Sequence, residues 1–439
     1  MKTAQNHMEG AMVMGASARS GDGVPTAGGT RHWWLLGGAL LWFYTLGHYL
    51  HGLLHYRGDG DFRTLLFAVH QWLLSGHFQV GYWYPPFFYL LNIPFVVLDE
   101  SVASWIMLVI NQALLAGCFG LLAEATATRV PRRLWWWVLL PLALNYRPLL
   151  LLLSMAKIEM LQLLFLLGGL VTFQRRQYGL AGILTALAGM LKPMPLLFVL
   201  YFAWKREWRV VRAWTLTVAF ILMISGLAVG FPAVWEYFST LIQPRGSNAS
   251  YWYEDQSLMG VTVRLFHRVR ANKFFLDSAE VSTLSLAVGW VLKVIVLGWL
   301  GVLLRPQSSA STERVWGEWS LVSVGMLLLS PVSRDYYAVF LIPAYLLLAI
   351  TVWRSGGWSR SPACWLGLAS YLLVGQGFPL GIIRKLPPLV PGVDNFHTYL
   401  HYGIPTLGYL LLLMAWMVML ERGRVVGPAH VTQAVAVAS

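Results

Sequence analysis

Apolar stretches recur along almost the whole of this chain, and very little charge interrupts them. They fall at 33–54, 84–98, 102–124, 134–153, 156–173, 178–191, 194–204, 211–230, 283–304, 317–331, 336–353, 361–380 and 399–420, thirteen runs in all. About 20 such residues carry a helix across a hydrocarbon core of roughly 30 Å. In lipid the backbone must satisfy its own hydrogen bonds, which helices do within one segment. The expected fold class is therefore all-α, a polytopic membrane protein. The 12% charged and 57% hydrophobic content of the 439 residues agrees, because soluble domains carry about 25% charge. Disorder, collagen-like repeats and an ordinary soluble enzyme are excluded.

Lys and Arg number 32 against 19 Asp and Glu. In a soluble protein that excess would suggest nucleic acid, but cytoplasmic loops of membrane proteins collect Lys and Arg for topological reasons. No nucleic-acid partner is expected. Cys118 and Cys364 both lie in apolar runs and read as reduced packing residues, too few for a disulfide or zinc framework. Residues 1–32 are rich in Gly, Ser, Thr and Ala and too polar for a signal-peptide core, so they read as a cytoplasmic tail. Residues 421–439 read as a second tail, leaving 33–420 as one transmembrane domain.

Not every run is a full crossing. Run 84–98 gives a helix of about 22 Å and carries Pro85, Pro86 and Pro94; the pair 178–191 and 194–204 is broken by Lys192 and Pro193. Charge decides the folding. If 84–98 dips into the outer leaflet without crossing, then Arg129, Arg132, Arg133, Arg175, Arg176, Lys205, Arg206, Arg209, Arg212, Arg354, Arg360, Arg422 and Arg424 all face the cytoplasm, as the positive-inside rule requires. This arrangement predicts twelve crossings with both termini inside. The outer side then receives 55–101, 145–157, Lys192, the long 231–282 loop, the turn at 330–335 and 381–398.

Polar groups with chemical potential gather on that outer side. Phe62, Leu65, Leu66, Val69, Trp72 and Leu73 stand at helical spacing opposite Arg63, His70 and Gln71, predicting an amphipathic helix on the membrane surface. Asp59 and Asp61 precede it on glycine-flanked backbone. A carboxylate at the lipid–water boundary is partly desolvated and its proton affinity rises, which suits a general base; a turn aspartate followed by a helix N-cap is the other reading. Lys157 and Glu159, Lys192-Pro-Met-Pro195, Tyr251 to Leu258 ahead of Arg264 and Arg268, and Ser330 to Tyr337 add further ionisable groups. Such groups are costly in a membrane and mark function or snorkelling to the interface. His48, His51 and His55 form a stripe that reads as a metal set or as interfacial polar groups lining a cavity. No Walker loop, HExxH or nucleophile elbow is present.

Taken in order, several stretches resemble a known family: Asp61 to Gly76; Tyr84-Pro-Pro-Phe-Phe-Tyr-Leu-Leu-Asn-Ile-Pro94; Ala181-Gly182 leading to Leu191-Lys-Pro-Met-Pro-Leu-Leu197; Lys205-Arg-Glu-Trp-Arg209; Gln256-Ser-Leu-Met-Gly260 with Arg264-Leu265; and Leu329-Ser-Pro331 with Tyr336-Tyr337. The series is similar to the polyprenol-phosphate-dependent mannosyltransferases of the GT-C superfamily, in the bacterial group that includes the phosphatidylinositol-mannoside enzymes. It covers roughly residues 33–350.

The resemblance implies a multi-pass inverting glycosyltransferase of the bacterial inner (plasma) membrane with its site facing outward. Asp61 would be the catalytic base, taking the acceptor hydroxyl proton while a polyprenyl phosphate leaves. The implied partners are a polyprenyl-phosphate sugar donor, a glycolipid or glycan acceptor and membrane lipids. Substrate- or phosphate-binding roles fall to Lys192, Arg334, Arg264, Asp59, His55, Tyr84, Gln256 and Tyr336. A leaving phosphate needs cationic donors, which Lys192, Arg334 and Arg264 can supply. Its isoprenoid needs an apolar groove, which segment 84–98 is expected to line. No cofactor or metal is expected, although Asp59 and Asp61 are a carboxylate pair able to take a divalent cation. Relatives carry a His near the Ser-Pro turn where this chain has Tyr336, and a Gly-Gln pair where it reads Met155-Ala-Lys-Ile-Glu159. A lipid or glycan transporter is the reading from another class; it would show matching helix breaks in two halves, whereas the breaks here cluster in 55–200.

Overall fold

The computed structural model of the protein describes residues 28–54, 60–76, 78, 84–127, 129–155, 157–242, 252–267, 281–306, 311–355, 361–375, 386–388 and 392–425. Residues 1–27 and 426–439, most of the expected tails at 1–32 and 421–439, lie outside them together with Asp59 and His55. The helices are α1 Gly28–Leu54, α2 Gly60–Ser75, α3 Pro86–Val96, α4 Glu100–Thr126, α5 Arg132–Leu144, α6 Arg147–Ser154, α7 Glu159–Gln174, α8 Tyr178–Leu191, α9 Leu197–Trp204, α10 Trp208–Val229, α11 Phe231–Ile242, α12 Leu258–Leu265, α13 Thr283–Leu303, α14 Thr312–Leu329, α15 Ile342–Arg354, α16 Pro362–Gly375, α17 Asn395–His401 and α18 Ile404–Val425. Among the described residues there is no strand, only an isolated bridge pairing Asp255 with Arg334. The all-α expectation holds.

Among the described residues five helices (α4, α10, α13, α18 and the unit Asp335–Arg354) are long and apolar enough to cross a membrane, and a bent pair makes six. Five shorter apolar helices of 10–17 residues accompany them, and the twelve crossings expected from charge are not tested by this count. The bent pair is the run 134–153, which divides into α5 and α6 at an angle of 61°. Its cause is local. Pro141 and Pro148 withhold N–H groups, a π turn occupies Trp135–Leu139, and Tyr146 is extended between the two helices. Helix α3, with 11 residues, is about 16 Å long and too short to cross alone.

The hairpins α7–α8 and α9–α10 fix which end of the bundle is which. Each turn carries a basic pair, Arg175-Arg176 and Lys205-Arg206, and the second residue of each sits at φ 61°, closing the preceding helix. At that end Arg129 and Arg354 both pair with Glu313, while Lys205 (2.9 Å) and Arg314 (2.8 Å) pair with Glu318. Basic residues assigned to one side by the positive-inside argument thus gather at one end. Gly182 lets α8 approach α10 closely, because a Cβ there would stand 2.4 Å from the Val210 carbonyl oxygen.

Helix α2 forms as its periodicity predicts. Phe62, Leu65, Leu66, Val69 and Trp72 are buried, and Leu73 is exposed. The buried stripe packs on Phe88 and Tyr89 of α3 and on Ala103 and Met107 of α4. The apolar face is therefore turned toward the protein, where the sequence suggested the membrane surface.

Candidate functional site

At the end of the bundle opposite the basic pairs, α8 stops where the chain meets Pro193. Lys192 is extended (φ −160°, ψ 134°), as a residue before proline must be. The Gln162 side chain donates to the Ala188 and Lys192 carbonyls (2.7 and 2.9 Å), replacing bonds that the helix end lacks. This break turns the Lys192 ammonium inward. Its Nζ lies 2.8 Å from Glu159 Oε1 at the start of α7, 4.1 Å from the Tyr337 ring centre and 4.8 Å from that of Tyr84. Lys157 stands 4.9 Å from the ring centre of Tyr336, which packs edge-on against Tyr337. Two buried ammonium groups are thus held by a carboxylate and three phenol rings.

A cavity of about 700 Å³ opens from this cluster. Its polar end is lined by Lys192, Arg334, Tyr84, Tyr336 and Tyr337, and α2 adds Thr64 and Leu65 to the wall. Asp61 is the second residue of α2, one turn before those two; its side chain lies outside the described residues. The rest of the wall is apolar, with Leu197, Leu200, Trp214, Met326 and Leu329 from α9, α10 and α14. Val229, the last residue of α10, packs beside α2 and α3. Trp214 stands nearer the other end of that helix and lines the cavity, so the trough extends from the polar cluster toward the basic end. Leu200 is 59% exposed on the outside of the bundle.

Four expected residues, Lys192, Arg334, Tyr84 and Tyr336, therefore share one cavity. Two others stand elsewhere. Arg264 is fully buried and donates to the main-chain carbonyls of Trp252 (2.6 Å), His401 (3.3 Å) and Leu400 (3.3 Å). The Gln256 amide donates to Tyr253 and Leu400 carbonyls, 3.0 Å each. Their donors are used to clasp α12 and the segment before it onto the end of α17, so neither lines the cavity. The apolar groove is also moved: of 84–98 only Tyr84 reaches it, because α3 spends its buried face on α2. In the histidine stripe, His48 meets Asn145 at 3.4 Å and stacks on Tyr44, while His51 is exposed.

The clasp sets the position of Arg334. Asp255 is buried, and its Oδ1 accepts the N–H groups of Ser257 (3.0 Å) and Ser333 (2.8 Å). Burial pushes its carboxyl above the usual range, with Arg264 and these N–H groups opposing. The Gln256 N–H returns a bond to the Ser333 carbonyl at 2.6 Å. Arg334 follows directly, its guanidinium paired with Glu254 and 5.0 Å from the Trp252 ring centre. Burial lowers its proton affinity, but Glu254, Tyr336, Tyr337 and Asp255 together more than restore it.

Sequence reasoning passed over three groups. Glu254 and Tyr337 sit inside stretches already marked as polar, but their partners are far off in sequence. Lys293 is buried in α13 and donates to the Ser330 carbonyl at 3.2 Å; a lone Lys in an apolar run was the available signal.

A model of glycosyltransferase family 87 matches residues 82–331. The chain is also 26% identical over 349 residues to the polyprenol-phosphate-mannose-dependent alpha-(1-2)-phosphatidylinositol mannoside mannosyltransferase of Mycobacterium tuberculosis, covering 73% of this chain and 76% of that one.

Proposed function

The chain belongs to glycosyltransferase family 87, a GT-C family, and on that premise we propose that it transfers a hexose, mannose by preference, from a polyprenyl-phosphate donor to an envelope glycolipid or glycan. The observation that carries this reading is one cavity with a cationic, aromatic end and a long apolar trough. A polyprenyl-phosphate sugar has the matching shape, with an anionic phosphate between a polar sugar and an isoprenoid. The mannosyltransferase similarity supports mannose and a lipid-linked donor.

In the proposed reaction Lys192 and Arg334 face the phosphate, and Tyr84, Tyr336 and Tyr337 stand around the sugar. Asp61, one turn before the cavity residues Thr64 and Leu65, takes the proton of the acceptor hydroxyl. That oxygen attacks the anomeric carbon from the side opposite the phosphate, the carbon–oxygen bond to phosphate breaks, and polyprenyl phosphate leaves with inverted sugar stereochemistry. Aligned charge stabilisation of the leaving group and pre-positioning of the hydroxyl supply the acceleration. A single phosphate flanked by protein cations does not need a bridging metal, so the reaction is proposed to run without one. The site lies on the extracytoplasmic side of the bacterial plasma membrane, opposite the basic end of the bundle.

The test is direct. Purified protein is incubated with radiolabelled polyprenyl-phosphate mannose and a membrane extract, with and without chelator. The proposal expects a new labelled glycolipid in both. Movement of label across a vesicle membrane with no new glycolipid would instead identify a transporter.

A further inference from the structure

Each cation at the polar end of the cavity carries its own carboxylate: Lys192 has Glu159 and Arg334 has Glu254. The two pairs are built differently. Lys192 and Glu159 side chains are 7% and 0% exposed, whereas Arg334 and Glu254 keep 20% and 28%. That contrast decides which pair can open. Glu159 released from Lys192 would be a lone charge in the protein interior, at a cost of several kcal/mol. Glu254 released from Arg334 reaches water, and its Oε1 keeps the Tyr253 hydroxyl as a donor at 3.1 Å.

The surroundings of Arg334 also suit an exchange. Its main chain is fixed through Ser333 by Asp255 and Gln256, so a change of partner is confined to side chains. Trp252 flanks the guanidinium whichever anion it meets. We infer that Glu254 is an exchangeable counter-ion: the phosphate of a lipid-linked ligand takes its place on Arg334. The inference rests on the cavity being the site for such a ligand. It makes Glu254 a determinant of specificity, because a neutral or zwitterionic headgroup brings no net charge with which to displace it.

The experiment uses the full-length protein in detergent with farnesyl phosphate as the probe, farnesol as its neutral counterpart and inorganic phosphate as the free anion. Glu254→Gln, and Glu254→Ala as a second neutral variant, are expected to bind farnesyl phosphate about two- to fivefold more tightly, the change that suits a partly exposed ion pair. Arg334→Met is expected to weaken binding, and adding Glu254→Gln to it to restore nothing. Farnesol is expected to show no change in any variant. Weakened binding in Arg334→Met with no tightening in either Glu254 variant would overturn the exchange while leaving the lipid-phosphate site standing. Binding unaffected by Arg334→Met would overturn the reading beneath it. Equal tightening for farnesol would show that charge is not involved, and inorganic phosphate binding as tightly as farnesyl phosphate would overturn a lipid source.

Discussion

Lys192 Nζ and Glu159 Oε1 meet at 2.8 Å, one at the end of α8 and the other at the start of α7, both buried. The pair ties α7 to α8 at the open end of their hairpin, and Lys192 lines the cavity's polar end. Breaking a buried pair from one side costs about 3–5 kcal/mol, because the remaining charge has no partner, while removing both can be close to neutral. Glu159→Gln and Lys192→Met should each lower the unfolding midpoint in detergent sharply, and the double variant should recover most of the loss. Additive losses in that cycle would show that the two groups do not act as a pair. Activity should stay lost in the double variant, because the ammonium also faces the cavity.

The apolar trough predicts a dependence on chain length. Leu197→Trp fills the passage between α9 and α14 and should lower kcat/KM for a long polyprenyl-phosphate donor about tenfold, a loss of roughly 1.4 kcal/mol. A farnesyl-phosphate sugar, which does not reach as far, should be spared. Equal losses on both donors would place the isoprenoid elsewhere.

Gly260 tests the clasp. A Cβ at this position would stand 2.3 Å from Asp255 Oδ2, in contact with a carboxylate that cannot move without releasing Ser333. Gly260→Ala should cost about 1–3 kcal/mol of stability and raise the KM for donor, since Arg334 follows Ser333. A stable variant with unchanged KM would separate the clasp from the site.

Stability should also fall in mild acid through His401. Burial first, and then the nearby Arg264, hold its imidazole below the usual value of 6.5. The folded protein thus prefers the neutral ring. The unfolded chain binds a proton first, so the stabilisation is present above pH 6.5 and is lost as pH falls through the lower folded value. The unfolding midpoint of wild type should drop across that window, and His401→Gln, uncharged throughout, should flatten the drop. An identical pH profile in the variant would remove His401 from the explanation.

Some of the site was legible in the sequence because membranes make polar residues conspicuous. Lys192 before Pro193, Tyr84 before two prolines and Arg334 after Ser-Pro each break an apolar run, and all three line the cavity with Tyr336. Arg264 and Gln256 look equally conspicuous, yet main-chain carbonyls around residue 400 consume their donors. No local pattern records that contact, because its partners are more than a hundred residues away. Glu159 and Glu254 stood in stretches already marked as polar, but their pairing with Lys192 and Arg334, 33 and 80 residues away, was not legible. The trough was hidden too, since Leu197, Trp214 and Met326 read as ordinary lipid-facing positions until α9, α10 and α14 are packed together. The bend at Tyr146 was signalled by Arg147 at the break and by Pro141 and Pro148 on either side, but its angle was not.

On the proposed reaction, Asp61 at the start of α2 is the base of the glycosyl transfer. The most direct measurement is turnover of radiolabelled polyprenyl-phosphate mannose by Asp61→Asn, made alongside its unfolding midpoint. Transfer should be lost while the midpoint and donor affinity stay like those of wild type. Near-normal turnover in that variant would contradict it.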